Sequence, residues 1–212
     1  MDCMSQLEQS PGPEPVALRS VASVEMLRAM ADPTRLAILS ALMEPRDELP
    51  VMSVKELAAQ LGQPQTKLYR HVRQLEAAGL IRVAATRLVS GIVEQRYQAS
   101  QRDLTFDGGF LREHADESEA AMRAMLERFR EGFVAAFRDK QLAPAAMPDA
   151  EAYRKPTLLL TEVRISPSRA REVRERLQEL RKWLGSMDDE DPDGIRVDVL
   201  VGYYATAEPE RT

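Results

Sequence analysis

Gln65, Lys67, Tyr69, Arg70, Arg73 and Gln74 surround three apolar residues, Leu68, Val72 and Leu75, at i, i+4 and i+7. At the helical period these three share one face and hold it to a core, so the polar six point away or sideways. Such side chains can read a nucleic acid. Arg and Lys bridge guanine edges or phosphates, Gln pairs bidentately with adenine, and Thr touches a thymine methyl or a phosphate. Residues nearest the helix N-terminus reach bases, so Gln65, Thr66, Lys67 and Tyr69 are expected to select sequence, and Arg70, Arg73, Arg87 and Arg96 to supply affinity. His71 sits at the edge of the apolar face. It reads as a phosphate contact or as a half-buried packing histidine, with packing favoured.

The elements that must position these residues follow in register. Ser53 and Glu56 form a capping box, S-x-x-E, at the start of a third helix. Leu57, Ala58 and Leu61 face inward and Gly62 closes that helix. Pro64 opens the fourth helix, which runs to about Ala78. Gly79 stops it and Leu80 packs back over its end. Residues 80–87 and 93–99 read as two strands joined by a Ser90-Gly91 turn. Arg87 and Arg96 flank the turn, where backbone or minor-groove contact competes with simple strand solubility. Residues 53–99 are therefore a helix, a tight turn, a second helix and a basic hairpin. That order suits a helix in a DNA major groove with a β-wing beside it.

The chain has 212 residues and a net charge of −5. An acidic total argues against nucleic acid, but its distribution points the other way. Residues 53–102 carry eight cations against three anions, while both flanks are acidic. A local basic face is what phosphate binding requires. With 44% hydrophobic and 30% charged residues the chain is globular rather than disordered. No apolar run approaches a membrane span, and the N-terminus lacks the pattern of a secretory signal. The single cysteine, Cys3, permits no intramolecular disulfide and fits a cytoplasmic location.

Upstream, residues 1–15 read as a disordered tail. From about Pro15 to Met30, Leu18, Val21, Val24 and Leu27 recur every three residues, which predicts one helix with a narrow apolar stripe. Asp32 and Pro33 start a second helix with Leu36, Ile38, Leu39 and Leu42 on its core face. Downstream, 103–110 reads as a turn-rich connector. Residues 111–139 read as a long helix of roughly 28 residues, about 42 Å. Its apolar seam is Met122, Met125, Phe129, Phe133, Ala136 and Phe137. Such a seam usually pairs with another helix, commonly across a dimer. Residues 142–156 form a linker. Leu158–Ile165 is strand-like, Ser166-Pro167 opens a helix with Ala170, Val173, Leu177, Leu180 and Leu184 on one face, and Ile195 to Tyr203 alternate as a second strand. This β-α-β piece buries too little to stand alone. It is expected to complete its core against the long helix or a second subunit.

Other chemistries are poorly supplied. Asp189, Asp191, Asp193 and Gly194 match the first half of a calcium loop, but position twelve is Leu200 and a strand follows instead of a helix. An acidic surface turn is the better reading. Cys3, His71 and His114 are scattered, so no transition-metal set is evident. There is no nucleophile elbow, P-loop or dinucleotide glycine motif, so no enzyme and no cofactor is expected. Trp183, Tyr203 and Tyr204 could line a ligand cavity, although a core role is favoured.

Residues 31–39, ADPTRLAIL, together with 53–99, resemble the arsenic-repressor (ArsR-like) winged-helix transcription regulators. The likeness is closest to a branch whose recognition helix carries Y-x-H-V-x-x-L, here Tyr69, His71, Val72 and Leu75. The resemblance covers roughly residues 16–100. It implies a homodimer built on the first helix and a late helix, with operator DNA as partner. It places the recognition helix at about 64–78 and the wing at about 86–95, and gives Arg35 a structural or backbone-contacting role. The metal-sensing members' cysteine pair in the third helix is missing, since Glu56-Leu57-Ala58 stands there. That points to a non-metal-sensing branch with a C-terminal extension.

The expected protein is α+β. A mainly helical winged helix-turn-helix domain at 16–102 carries a two-stranded wing. A connector and long dimerisation helix at 103–141 follow, and a small β-α-β unit lies at 157–205. Double-stranded DNA is the expected partner of a homodimeric repressor, with Gln65, Thr66, Lys67, Tyr69, Arg70, His71, Arg73, Arg87, Ser90, Gly91 and Arg96 as candidate contacts. A small-molecule effector is a further partner that the C-terminal unit allows. The alternatives are a winged-helix protein-interaction scaffold and a small-ligand carrier.

Overall fold

The computed structural model describes residues 8–9, 14–44, 48–138, 156–159, 161–187 and 197–204. The chain divides into two compact units, Met1–Arg130 and Glu131–Thr212.

In the first unit, helix α1 (Val24–Met30) is capped by Ser23, whose hydroxyl accepts from Met26 N–H. Helix α2 (Pro33–Leu42) is capped by Asp32, with Pro33 in its first turn. Helix α3 (Val54–Leu61) carries the capping box of Ser53 and Glu56 and ends on Gly62 in the left-handed region, φ 61°. A three-residue turn leads to α4 (Gln65–Ala77). Gly79, φ 70°, then lets Leu80 N–H return to the Leu75 carbonyl. Leu27, Ile38, Leu42, Leu57, Leu68, Val72, Leu75, Leu80 and Ile81 are almost fully buried and form the core. Each such side chain contributes about 1.5–3 kcal/mol of burial.

The wing is an antiparallel pair, β4 (Ile81–Val89) and β5 (Ile92–Ala99), joined at Ser90-Gly91. Two short strands flank it, giving the order β1 (Glu8–Gln9), β4, β5, β3 (Met52–Ser53). Part of the expected disordered tail is thus ordered: Glu8–Gln9 pairs antiparallel with Thr86 and Ala85.

Three further expectations require correction. The segment from Pro15 to Met30 is not one helix. Val16–Val21 is a strand, β2, paired in parallel with β6 (Gln101–Phe106), which takes up the first half of the expected connector. The partner lies about 85 residues away, so three-residue spacing of apolar side chains could not reveal it. The expected domain boundary at 102 falls inside β6. The long helix is broken at His114 into α5 (Gly108–Glu113) and α6 (Ala115–Arg138). Asp107 fixes the start of α5 by accepting from Gly109 and Phe110 N–H, while His114 leaves helical geometry at ψ 56° with its ring 4.6 Å from that of Phe110. The face of α6 that packs on the core carries Ser118, Ala121 and Ala124, with Met125 partly buried beside them. Small residues let α6 approach closely. Met122 and Leu126, by contrast, stay half exposed.

In the second unit, helix α7 (Pro167–Gly185) starts where expected, capped by Ser166, which accepts from Arg169 N–H. The described residues on either side of it form no strand, so the expected β-α-β pattern reduces to its helix there. A strand needs a ladder partner, and two short strands with one helix cover too little surface to supply it. Leu158, Leu159, Val163 and Val197 are exposed accordingly. Tyr203 Oη donates to the Ala170 carbonyl at 3.2 Å. The acidic loop with Asp189, Asp191 and Asp193, and most of the 142–156 linker, lie outside the described residues. No described helix is long and apolar enough to cross a membrane.

Candidate nucleic-acid interface

Helix α4 is amphipathic in the register its sequence dictates. Leu68, Val72 and Leu75 are fully buried, while Gln65, Thr66, Lys67, Tyr69, Arg70 and Arg73 are exposed. The side chains of Lys67, Arg70 and Arg73 make no hydrogen bond or ion pair with any described residue. Pro64, at the N-cap, offers no side-chain acceptor to the first turn. The N-terminus of α4, which has no side-chain cap and carries the positive end of the helix dipole, lies beside Lys67, and Arg70 and Arg73 follow along the exposed side of the helix. Each of these features favours an anion.

The helix is held from three sides. From α2, Arg35 donates to the Ala29 and Arg28 carbonyls at the end of α1, both at 2.6 Å, and to Gln74 Oε1 on α4 at 2.8 Å. Gln74 is therefore engaged inside the fold. From β2, Arg19 donates to the Gly79 carbonyl just past the end of α4. From α2 again, the Asp32 carboxylate lies 3.5 Å from His71 Nδ1. His71 is thus turned toward the α2 cap and belongs to the packing edge of the helix.

The wing is held differently from expectation. Arg96 does not project toward a duplex. It donates to the Val51 carbonyl at 2.6 Å and to both carboxylate oxygens of Glu56 at 3.0 Å, tying β5 to the start of α3. Burial pushes the Glu56 carboxyl up, but Ser53 N–H, the Ser53 hydroxyl and Arg96 together outweigh it and hold the carboxyl below its ordinary value. Arg87 pairs across the hairpin with Glu94 at 3.0 Å, so its charge is largely neutralised within the wing. Ser90 and Gly91 form the exposed tip, both at positive φ. Tyr97, buried under the wing, donates to Gln95 Oε1 at 2.8 Å, and burial first, then Glu76, pushes its phenol up.

Sequence reasoning thus misplaced Arg96 and Gln74, both expected to face outward, and missed the positioning role of Arg19, while His71 takes the packing role favoured for it. An arginine followed by strand residues looks the same whether it faces solvent or a carboxylate 40 positions earlier. The capping box did mark Glu56, and a carboxylate already fixed at a helix start was the one available hint.

Elsewhere, Trp183, Tyr203 and Tyr204 are exposed, so none of them fills a core. An open groove runs along α6 between Met122 and Leu126, with Glu119, Arg123, Glu127 and Arg130 around it. It is formed by one helix's own surface and encloses nothing. No group of three or more His, Cys, Asp or Glu among the described residues could hold a metal ion.

A buried helix pair, an outward cationic face and an adjacent wing define a winged helix-turn-helix protein. The family described as "Helix-turn-helix domain" matches residues 30–84. The HTH-type transcriptional regulator KmtR of Mycobacterium tuberculosis is 35% identical over 106 residues, spanning 49% of this chain and 75% of KmtR. The crystal structure of NolR from Sinorhizobium fredii is similar at 28% identity, covering 45% of this chain and 79% of that one, with a TM-score of 0.28. The chain belongs to the ArsR-like winged helix-turn-helix transcriptional regulators.

Proposed function

We propose that the protein is a homodimeric, sequence-specific DNA-binding regulator acting on a pseudo-palindromic operator. The observation that carries this reading is the exposed face of α4, where Lys67, Arg70 and Arg73 stand without partners among the described residues, above a fully buried Leu68, Val72 and Leu75. Gln65, Thr66, Lys67 and Tyr69 contact base edges. Arg70 and Arg73 contact phosphates, and the Ser90-Gly91 turn meets the duplex beside them. Arg35, Arg96 and His71 position these elements, and Arg87 contributes little net charge. Two such helices enter successive major grooves, with half-site centres about 34–36 Å apart. The half-exposed Met122 and Leu126 of α6 supply apolar surface for the second copy.

The test is selection of a duplex from random sequence by the full chain, followed by titration at two salt concentrations with sedimentation of the complex. A selected two-fold-related site, a steep loss of affinity with salt and two protomers per duplex are expected. Failure to enrich any sequence, or binding indifferent to salt, contradicts the reading.

A further inference from the structure

The hairpin tip is apolar on both faces. In its register Leu88 stands opposite Val93, and Val89 opposite Ile92. Directly opposed residues share a face and successive pairs alternate. One face of the tip therefore carries Leu88 and Val93, and the other carries Val89 and Ile92. These side chains are 62%, 64%, 39% and 72% exposed. The turn beyond them is as narrow as a hairpin allows, with Ser90 at φ 51° and Gly91 at φ 79°. One pair further in, Arg87 and Glu94 cancel one another.

A patch on one face of a sheet can be covered by any flat neighbour. A blade that is apolar on both faces is covered only by a slot with two walls. The exposed cations of α4 belong to the same compact unit, and α4 leads through Gly79 and Leu80 directly into β4. The slot continuous with a duplex held there is its minor groove. Apolar side chains wedged into that groove unstack base steps and bend the duplex toward the major groove. The groove is about 6 Å wide, while a β-layer with side chains on both faces is about 10 Å thick. Entry therefore requires the groove to open.

We propose that Leu88, Val89, Ile92 and Val93 form a wedge that enters the minor groove and bends the bound DNA. This rests on the DNA-binding reading above and adds a second source of selectivity, since easily deformed steps accept a wedge at lower cost than stiff ones.

The test replaces the four residues together, Leu88→Thr, Val89→Thr, Ile92→Thr and Val93→Thr. Threonine keeps the β-branched shape that suits a strand, and all four sites are solvent-facing. Wild type and variant are compared on a duplex selected by the wild type from random sequence. Bend is read by circular-permutation mobility, unstacking by 2-aminopurine fluorescence, and affinity at two salt concentrations. Wild type is expected to bend the duplex by roughly 20–90°. The variant is expected to lose the bend and the fluorescence rise, to bind roughly tenfold more weakly, and to keep its salt slope. An unchanged bend in the variant, or no bend with either protein, overturns the wedge while leaving DNA binding intact. Loss of self-association in the variant with the bend unchanged assigns the tip to protein contact and also overturns it. A wild type that selects no duplex removes the underlying reading as well.

Discussion

Nη1 of Arg35 lies 2.8 Å from Oε1 of Gln74. A guanidinium on α2 thereby grips the helix that carries the exposed cationic face, while its other nitrogens close the end of α1. The planar fork of arginine reaches three acceptors on two other helices at once, which a lysine ammonium on a flexible stem does not reproduce.

Arg35→Ala leaves carbonyls at the end of α1 and the Gln74 amide unsatisfied. A loss of about 1–3 kcal/mol is expected, visible in urea denaturation as a lower midpoint. Arg35→Lys should recover only part of it. Full recovery by lysine would show that charge, and not the fork, holds α4 in place.

Glu56 gives the fold an acid-sensitive joint. Its folded pKa is depressed from the ordinary 4.5, so its contribution is present above that value and is lost as pH falls through the folded one. Melting temperature between pH 3 and pH 7 should fall on the acid side, and Glu56→Gln should flatten that fall. Because the carboxylate is partly exposed, the effect is modest. An identical acid limb in the variant would contradict the assignment.

Arg96→Ala and Arg73→Ala should separate cleanly. Arg96 is engaged with Val51 and Glu56, so its loss should lower stability and leave the salt slope of DNA binding unchanged. Arg73 is exposed, so its loss should leave stability unchanged, weaken all sequences about equally and flatten the salt slope by about one. Binding titrations from 50 to 200 mM salt with parallel thermal melts measure both.

Gly79 and Gly62 both adopt positive φ. Gly62→Ala should cost about 1 kcal/mol from backbone strain alone. Gly79→Ala should cost more, because its Cβ would also lie 3.2 Å from Nη2 of Arg19, whose Nη1 donates to the Gly79 carbonyl. Equal costs in denaturant melts would remove Arg19 from the account.

These residues also mark how far the sequence could be read. Where a local capping or turn signal is present, it located the element. Ser53 with Glu56, Asp32 with Pro33, and Gly79 before Leu80 each fixed a helix end within a few positions. The 4-and-3 spacing of Leu68, Val72 and Leu75 fixed which side of α4 faces outward. Wherever a partner is remote, it did not. Val16–Val21 becomes a strand because Gln101–Phe106 lies beside it, and Arg96 turns inward because Glu56 does. Among the described residues around α7 the expected strands are absent for the converse reason: alternation alone is present, with no described strand beside it.

The central claim is that Lys67, Arg70 and Arg73 face a duplex. Its most direct measurement is the salt dependence of binding for the triple alanine variant, with its melting temperature as control. The account predicts an unchanged melting temperature and a slope smaller by roughly 2, near 0.9 for each of the two phosphate contacts of Arg70 and Arg73. A folded variant that binds the selected duplex with the slope and affinity of the wild type would contradict it.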